Sequence, residues 1–268
     1  MNLKKVFLLV DNEKRLFFRS KQPLLLAVML AGLGLLQFVF LSMDDTSSIS
    51  AFRETLYVSY NTFVQFLPVV LVAVLGGSVC HEKEKRTWFF YCTKTFSRIE
   101  LVLSKVLFYA SIVAIAVLFA WIVIIGVAWQ STGAVDVSVS GLVYLLLVVL
   151  SVSFMITCME VSISALFSKT AVAGLVIVIA WFTLMIINLA VPAWLGREFL
   201  APYAYKSVQT GMVMRILGFA SASSPCDVCP SFSSPTFPSA IEVILNCLYT
   251  IVNALVFVFI GLVGVRRD

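Results

Sequence analysis

The residues of this chain best equipped for chemistry lie in one polar island, Cys80 to Lys105, which reads CHEKEKRTWFFYCTKTFSRIELVLSK. The island holds six of the 19 Lys and Arg residues. Glu82 and Glu84 come first, then Thr87 and the aromatic stretch Trp88, Phe89, Phe90 and Tyr91, then Ser97, Arg98, Glu100 and Lys105. Aromatic side chains to bury, with charges on both flanks, describe a short amphipathic helix that docks on something. A basic loop held at lipid headgroups has the same composition, so residue types alone leave both open. Either way the chemistry is recognition. The sequence has no G-x-x-x-x-G-K-S/T phosphate loop, no G-x-S-x-G and no H-E-x-x-H, so it offers no usual device for ATP hydrolysis, acyl transfer or metal-assisted hydrolysis. The single histidine, His81, has no cysteine or serine arrangement around it. The chain reads as a non-enzyme without a cofactor or metal of its own.

The island resembles the first cytoplasmic loop of permease subunits of type-2 ATP-binding-cassette (ABC) transporters, E-x-E-x-G-T-L, four or five apolar or small residues, then S-x-P-V-S-R-x-E-I-x-L-G-K. Laid on that pattern without a gap, Glu82, Glu84, Thr87, Ser97, Arg98, Glu100, Leu103 and Lys105 all coincide. Arg86 replaces a glycine, Thr95 the proline, and Ser104 the glycine before the lysine. Arg86 adopts a left-handed backbone less readily than glycine, which favours a turn on the helical side. Outside the island the likeness is one of topology. The resemblance implies a permease that exports a substrate with energy from separate ABC ATPase subunits, on which ATP and magnesium bind. It implies a second permease copy, or a homologous permease, across a shared path. It also implies that Glu82, Glu84, Thr87, Trp88, Phe89, Phe90, Ser97, Arg98, Glu100 and Lys105 couple to the ATPase.

The chain of 268 residues is 61% hydrophobic and 12% charged, where soluble proteins average about 25% charged. Runs of about 20 apolar residues predict six spans, Pro23–Leu41, Leu56–Val79, Val106–Trp129, Gly141–Phe167, Ala171–Val191 and Ile241–Val265. The expected fold class is therefore an all-α membrane protein, one permease domain over 1–268. Pro23 suits a first helical turn. The N-terminal run is too long, and preceded by too many mixed charges, for a cleavable signal peptide. Lys4, Lys5, Lys14, Arg15, Arg19, Lys21, the six island cations, Lys169, Arg266 and Arg267 fall on one side of the six spans, against Arg53, Arg197, Lys206 and Arg215 on the other. The positive-inside rule then places both termini and the island in the cytoplasm of a multi-pass cell-membrane protein. The net charge of +5 reports topology and contact with membrane lipids, and no nucleic-acid surface is expected.

The segment Leu3–Ser20, within a cytoplasmic stretch 1–22, repeats Leu3, Phe7, Val10 and Phe17 at helical spacing and predicts an interfacial helix on the inner leaflet. In the resembling permeases an amphipathic connecting helix occupies this place. The connection 192–240 is the long external one, with helical spacing in its first half and Pro225, Pro230, Pro235 and Pro238 marking a loop in its second. Cys226 and Cys229 form a C-x-x-C there, which reads as a disulfide staple outside the cytosol; a metal site would need further ligands. Within the spans, Glu160 stands out. It lies near the cytoplasmic end of the fourth span, where pairing with Lys105 or Lys169, or a substrate or proton site, would account for it. Tyr60, Asn61, Gln65, Asn188, Asn246 and Asn253 are milder polar cases, suited to interhelical hydrogen bonds or to a polar lining. An alternative function is an ATP-independent secondary transporter or an accessory membrane protein. Inverted repeats and paired broken spans would mark the former; the sequence shows no repeat, and Pro68 has no counterpart in a matching span.

Overall fold

A computed structural model describes residues 3–28, 32, 51–85, 87, 96–133, 135–194, 212–218 and 237–267. Every regular element among them is helical. They are α1 (Leu3–Arg19), α2 (Ala51–Leu75), α3 (Cys80–Glu84), α4 (Arg98–Thr132), α5 (Val139–Leu166), α6 (Thr170–Trp194) and α7 (Ala240–Arg267). Residues 22–28 form a further helical stretch, entered at Gln22 and Pro23. The rest of the first expected span lies outside the described residues. Among the described residues, four helical runs are long and apolar enough to cross a membrane, Phe52–Glu84, Arg98–Gln130, Val139–Leu166 and Ala240–Val265. The fifth expected span falls on α6, Thr170–Trp194, which is apolar over its described stretch Thr170–Thr183.

The helices begin and stop for local reasons. Before α4, Ser97 Oγ accepts from the Glu100 amide at 3.2 Å, and the Glu100 carboxylate accepts from the Ser97 amide at 3.0 Å, a reciprocal capping box. Ser239 and Glu242 repeat the device at the start of α7, at 3.3 and 2.8 Å. Ser138 caps α5 through the Gly141 amide. Gly133, at φ 70°, closes α4 in the left-handed conformation that glycine adopts without strain. Pro68 lies inside α2, where membrane helices tolerate it.

Helix α5 is the centre of the bundle and packs against α2, α4, α6 and α7. Almost all of its second half is buried, whereas α4 and α7 each leave a row of large apolar side chains outside, such as Ile115, Phe119 and Ile122 on α4 and Val252, Val256 and Phe259 on α7. The closest approach is between α5 and α7. A Cβ on Gly261 would sit 2.9 Å from Ser162 Cα, and one on Gly264 would run into Leu166. Small residues at such crossings let backbones meet and replace the missing hydrophobic drive between membrane helices with packing.

The two ends of the bundle are tied differently. At the end away from the island, Arg53 bonds the Asp136 carboxylate at 2.9 Å and the Asp136 carbonyl at 2.9 and 3.1 Å. Residues 212–218 lie over that end, with Met212, Val213, Ile216 and Leu217 buried and Arg215 paired to Glu242 at 3.1 Å. This is a short helical stretch within the connection expected to hold short helices. At the island end the ties run through the island's own flanks.

Candidate functional site: the flanks of the polar island

The island leaves α2 through a turn at 76–79. A Cβ on Gly77 would meet Thr170 Cγ2 at 2.9 Å, so a glycine lets the chain pass close to the start of α6. The amides of Val79 and Cys80 both donate to Ser164 Oγ, at 3.1 and 3.3 Å, and the Cys80 thiol donates to the Ser164 carbonyl. These bonds anchor α3 to the end of α5. Lys83 Nζ donates to the Ala165 carbonyl at 2.8 Å, and Thr170 Oγ1 donates to the Glu84 carboxylate at 2.8 Å. On the returning flank, Arg98 Nη1 donates to the Val265 carbonyl at 3.0 Å, near the end of α7.

Lys105 is the least expected member. It sits two turns into α4 with 2% of its side chain exposed, and its ammonium is 2.8 Å from Glu13 Oε1 on α1 and 2.8 Å from Glu82 Oε1 on α3. Phe17, Phe108 and Tyr109 pack edge-to-face beside it, with ring centroids 5.1 to 6.3 Å apart. The shared ammonium sets the rotation of α1. Val6, Leu9 and Phe17 face the bundle with Glu13, while Phe7 and Phe18 are exposed. The expected apolar row of Leu3, Phe7, Val10 and Phe17 is therefore not a single buried face. Glu13 turns in to meet Lys105, and Phe7 turns out.

The coupling residues expected from sequence thus divide. Glu82, Glu84, Arg98, Glu100 and Lys105 are engaged with the chain's own elements, and Thr87 donates to the Glu82 carbonyl at 3.2 Å while remaining exposed. Ser97 and Glu100 serve the α4 cap. Trp88, Phe89 and Phe90 lie outside the described residues, as do Cys226 and Cys229. Of the intramembrane polar residues, Asn61 donates to the Tyr57 carbonyl on its own helix. The Gln65 carbonyl accepts from the Trp181 indole at 3.2 Å, tying α2 to α6. Asn253 is half-buried, and the side chain of Asn188 lies outside the described residues. Asn246 is 3% exposed and neither of its amide atoms has a partner among the described residues.

Glu160 is not paired with either of the bases that the sequence offers it, Lys105 and Lys169. It is 0% exposed on α5, and neither carboxyl oxygen finds a partner among the described residues. Lys105 is already committed to Glu13 and Glu82, and Lys169 is exposed. No group of three or more His, Cys, Asp or Glu residues among the described residues could hold a metal ion.

The S-x-x-E spacing of Ser97 and Glu100 also spells a capping box, a local signal that the coupling pattern overlies. Sequence reasoning gave Glu13 no role, and nothing local could have: its partner is 92 residues away. Scanned against protein-family models the chain matches none, and no curated protein matches it.

Proposed function

We propose that this chain is the membrane-spanning subunit of an ABC transporter, with six spans, both termini in the cytoplasm of a cell-membrane protein, and separate ATPase subunits supplying the energy. The observation that carries the reading is the spacing of the island from Glu82 to Lys105 between two long apolar helices. The geometry of its flanks supports it. A docking element has to push on something stiff, and this one is braced by α5 through Ser164 and Ala165, by α6 through Thr170 and by α7 through Val265. With the flanking charges used in bracing, the contact with the ATPase falls to the centre of the island, Thr87, Trp88, Phe89 and Phe90. A second copy, or a homologous permease, completes a path between two bundles. The direction is export, after the resemblance.

Co-purification with ABC ATPase subunits from the same cells tests this. Replacing Trp88, Phe89 and Phe90 together by Ala removes the anchors. Loss of one interface hot spot of about 2 kcal/mol weakens binding on the order of thirtyfold, so the ATPase is expected to leave the complex. Retention of the ATPase at wild-type stoichiometry would reduce the island to a headgroup anchor. Orientation is tested apart from the partner. In a cysteine-free background, a probe cysteine at Ser233 is expected to react with an impermeant thiol reagent in intact cells, and one at Thr95 only after permeabilisation.

A further inference from the structure

Two carboxylates from different elements converge on one buried ammonium. Glu13 arrives from α1 and Glu82 from α3, each 2.8 Å from Lys105 Nζ. The cluster carries one positive and two negative charges when all three are ionised. Lys105 is 2% exposed, and its partners are only 12% and 15% exposed, so water screens the group weakly. The second oxygen of Glu82 is buried and has no partner among the described residues, so Lys105 is the one cation close to that carboxylate there. An ammonium has three donors and a single charge. Each carboxylate is attracted to Lys105 and repelled by the other.

We propose that Lys105 is a positioning residue that couples α1 to the first turn of the island by competition. When Glu82 withdraws, the ammonium serves Glu13 alone and α1 is held harder against α4. When Glu13 withdraws, the start of the island is held harder. Two independent ion pairs would show no such exchange. A simple structural anchor would loosen everything at once. On the permease reading, this lets a displacement of the island be answered at α1. The coupling itself is a property of the chain alone and does not depend on that reading.

Amide hydrogen exchange on the full chain in lipid nanodiscs, without any ATPase, tests the competition. The readouts are peptides from α1 and from residues 80–85, with peptides of α5 reporting that the bundle is intact. Glu82→Gln is expected to speed exchange at 80–85 and to slow it in α1. Glu13→Gln is expected to do the reverse. Lys105→Met speeds both, and Lys105→Arg restores both towards wild type. Neighbouring charges in one network couple strongly enough to move each rate by about threefold to tenfold. Unchanged or faster α1 exchange in Glu82→Gln, with α5 protected, would overturn the proposal. Should Glu82→Gln lose the fold, Glu13→Gln reads the same exchange from the other side, and unchanged or faster exchange at 80–85 overturns it equally. Loss of this coupling would leave ATPase docking untouched, and failure of docking would leave the coupling untouched.

Discussion

Lys105 and Glu160 are both fully enclosed ionisable residues on helices that pack together, α4 and α5, yet their surroundings are opposite. Lys105 has two carboxylates at 2.8 Å, brought from α1 and α3. Glu160 has no partner for either oxygen among the described residues. Burying an ion is costly, and a partner of good geometry offsets that cost without turning the pair into a large source of stability. The pair of sites separates two uses of a charge in a membrane bundle. At Lys105 the charge holds elements in place, because α1 and α3 each reach α4 through the same ammonium. At Glu160 no element among the described residues is bonded to the carboxyl.

The largest effect that can break this contrast is Lys105→Met. It leaves two enclosed carboxylates without their cation, and stranding a buried charge costs about 3–5 kcal/mol. Thermal unfolding in detergent is expected to show a large drop. A sharper version replaces the whole cluster, Glu13→Leu, Lys105→Met and Glu82→Leu together. Apolar replacement of an entire buried ion cluster is often neutral or stabilising, so the triple variant is expected to recover most of what the single one loses. If the triple variant is no better than the single one, the cluster contributes more than mutual compensation, and the contrast with Glu160 weakens.

How much of this was legible in the sequence follows from distance along the chain. The apolar runs gave the four long helices, because a membrane requires every backbone group to be paired within its own helix and so turns composition directly into structure. The stretch Leu3–Ser20 was legible as a helix, but not its rotation. Apolar periodicity could not show that Glu13 had a partner 92 residues on. The island's charges were visible as a cluster, but their direction was not. Glu84 meets Thr170, and Arg98 reaches Val265, 167 residues away. Such partners are set by how helices cross, and crossings turn on small residues such as Gly77 and Gly261, whose significance appears only beside Thr170 and Ser162. The α4 cap was readable locally, since Ser97 and Glu100 lie three apart. The family-like pattern lays a second, binding role on the same two residues.

An effect of intermediate size tests the wall near Glu160 without touching a charge. Gly261 on α7 meets Ser162, two residues from Glu160, so closely that a Cβ would lie 2.9 Å from the Ser162 backbone. Gly261→Val is expected to push α7 away from α5. Overpacking a tight contact typically costs about 1–3 kcal/mol, below the loss from Lys105→Met. Unfolding measurements on the two single variants rank the sites directly. If Gly261→Val proves the worse of the two, packing rather than charge dominates the bundle's stability, and the lysine cluster is a minor brace.

The smallest effect is expected at Glu160 itself. Glu160→Gln keeps the shape, removes the ionisable group and breaks no bond, since neither oxygen has a partner among the described residues. Removing one member of a buried pair strands the other, but here nothing is stranded. Stability is expected to stay within about 1 kcal/mol of wild type, and a stabilisation would fit equally, because an enclosed polar group without a partner is itself unfavourable. On the proposed permease reading, a transport assay on the same variant carries the functional half of the comparison. Stability unchanged with transport reduced would mark Glu160 as a residue kept for what passes it, the default meaning of an acid within a membrane span. A loss of stability approaching that of Lys105→Met would show instead that Glu160 has a charged partner, and the two sites would then be the same kind of site.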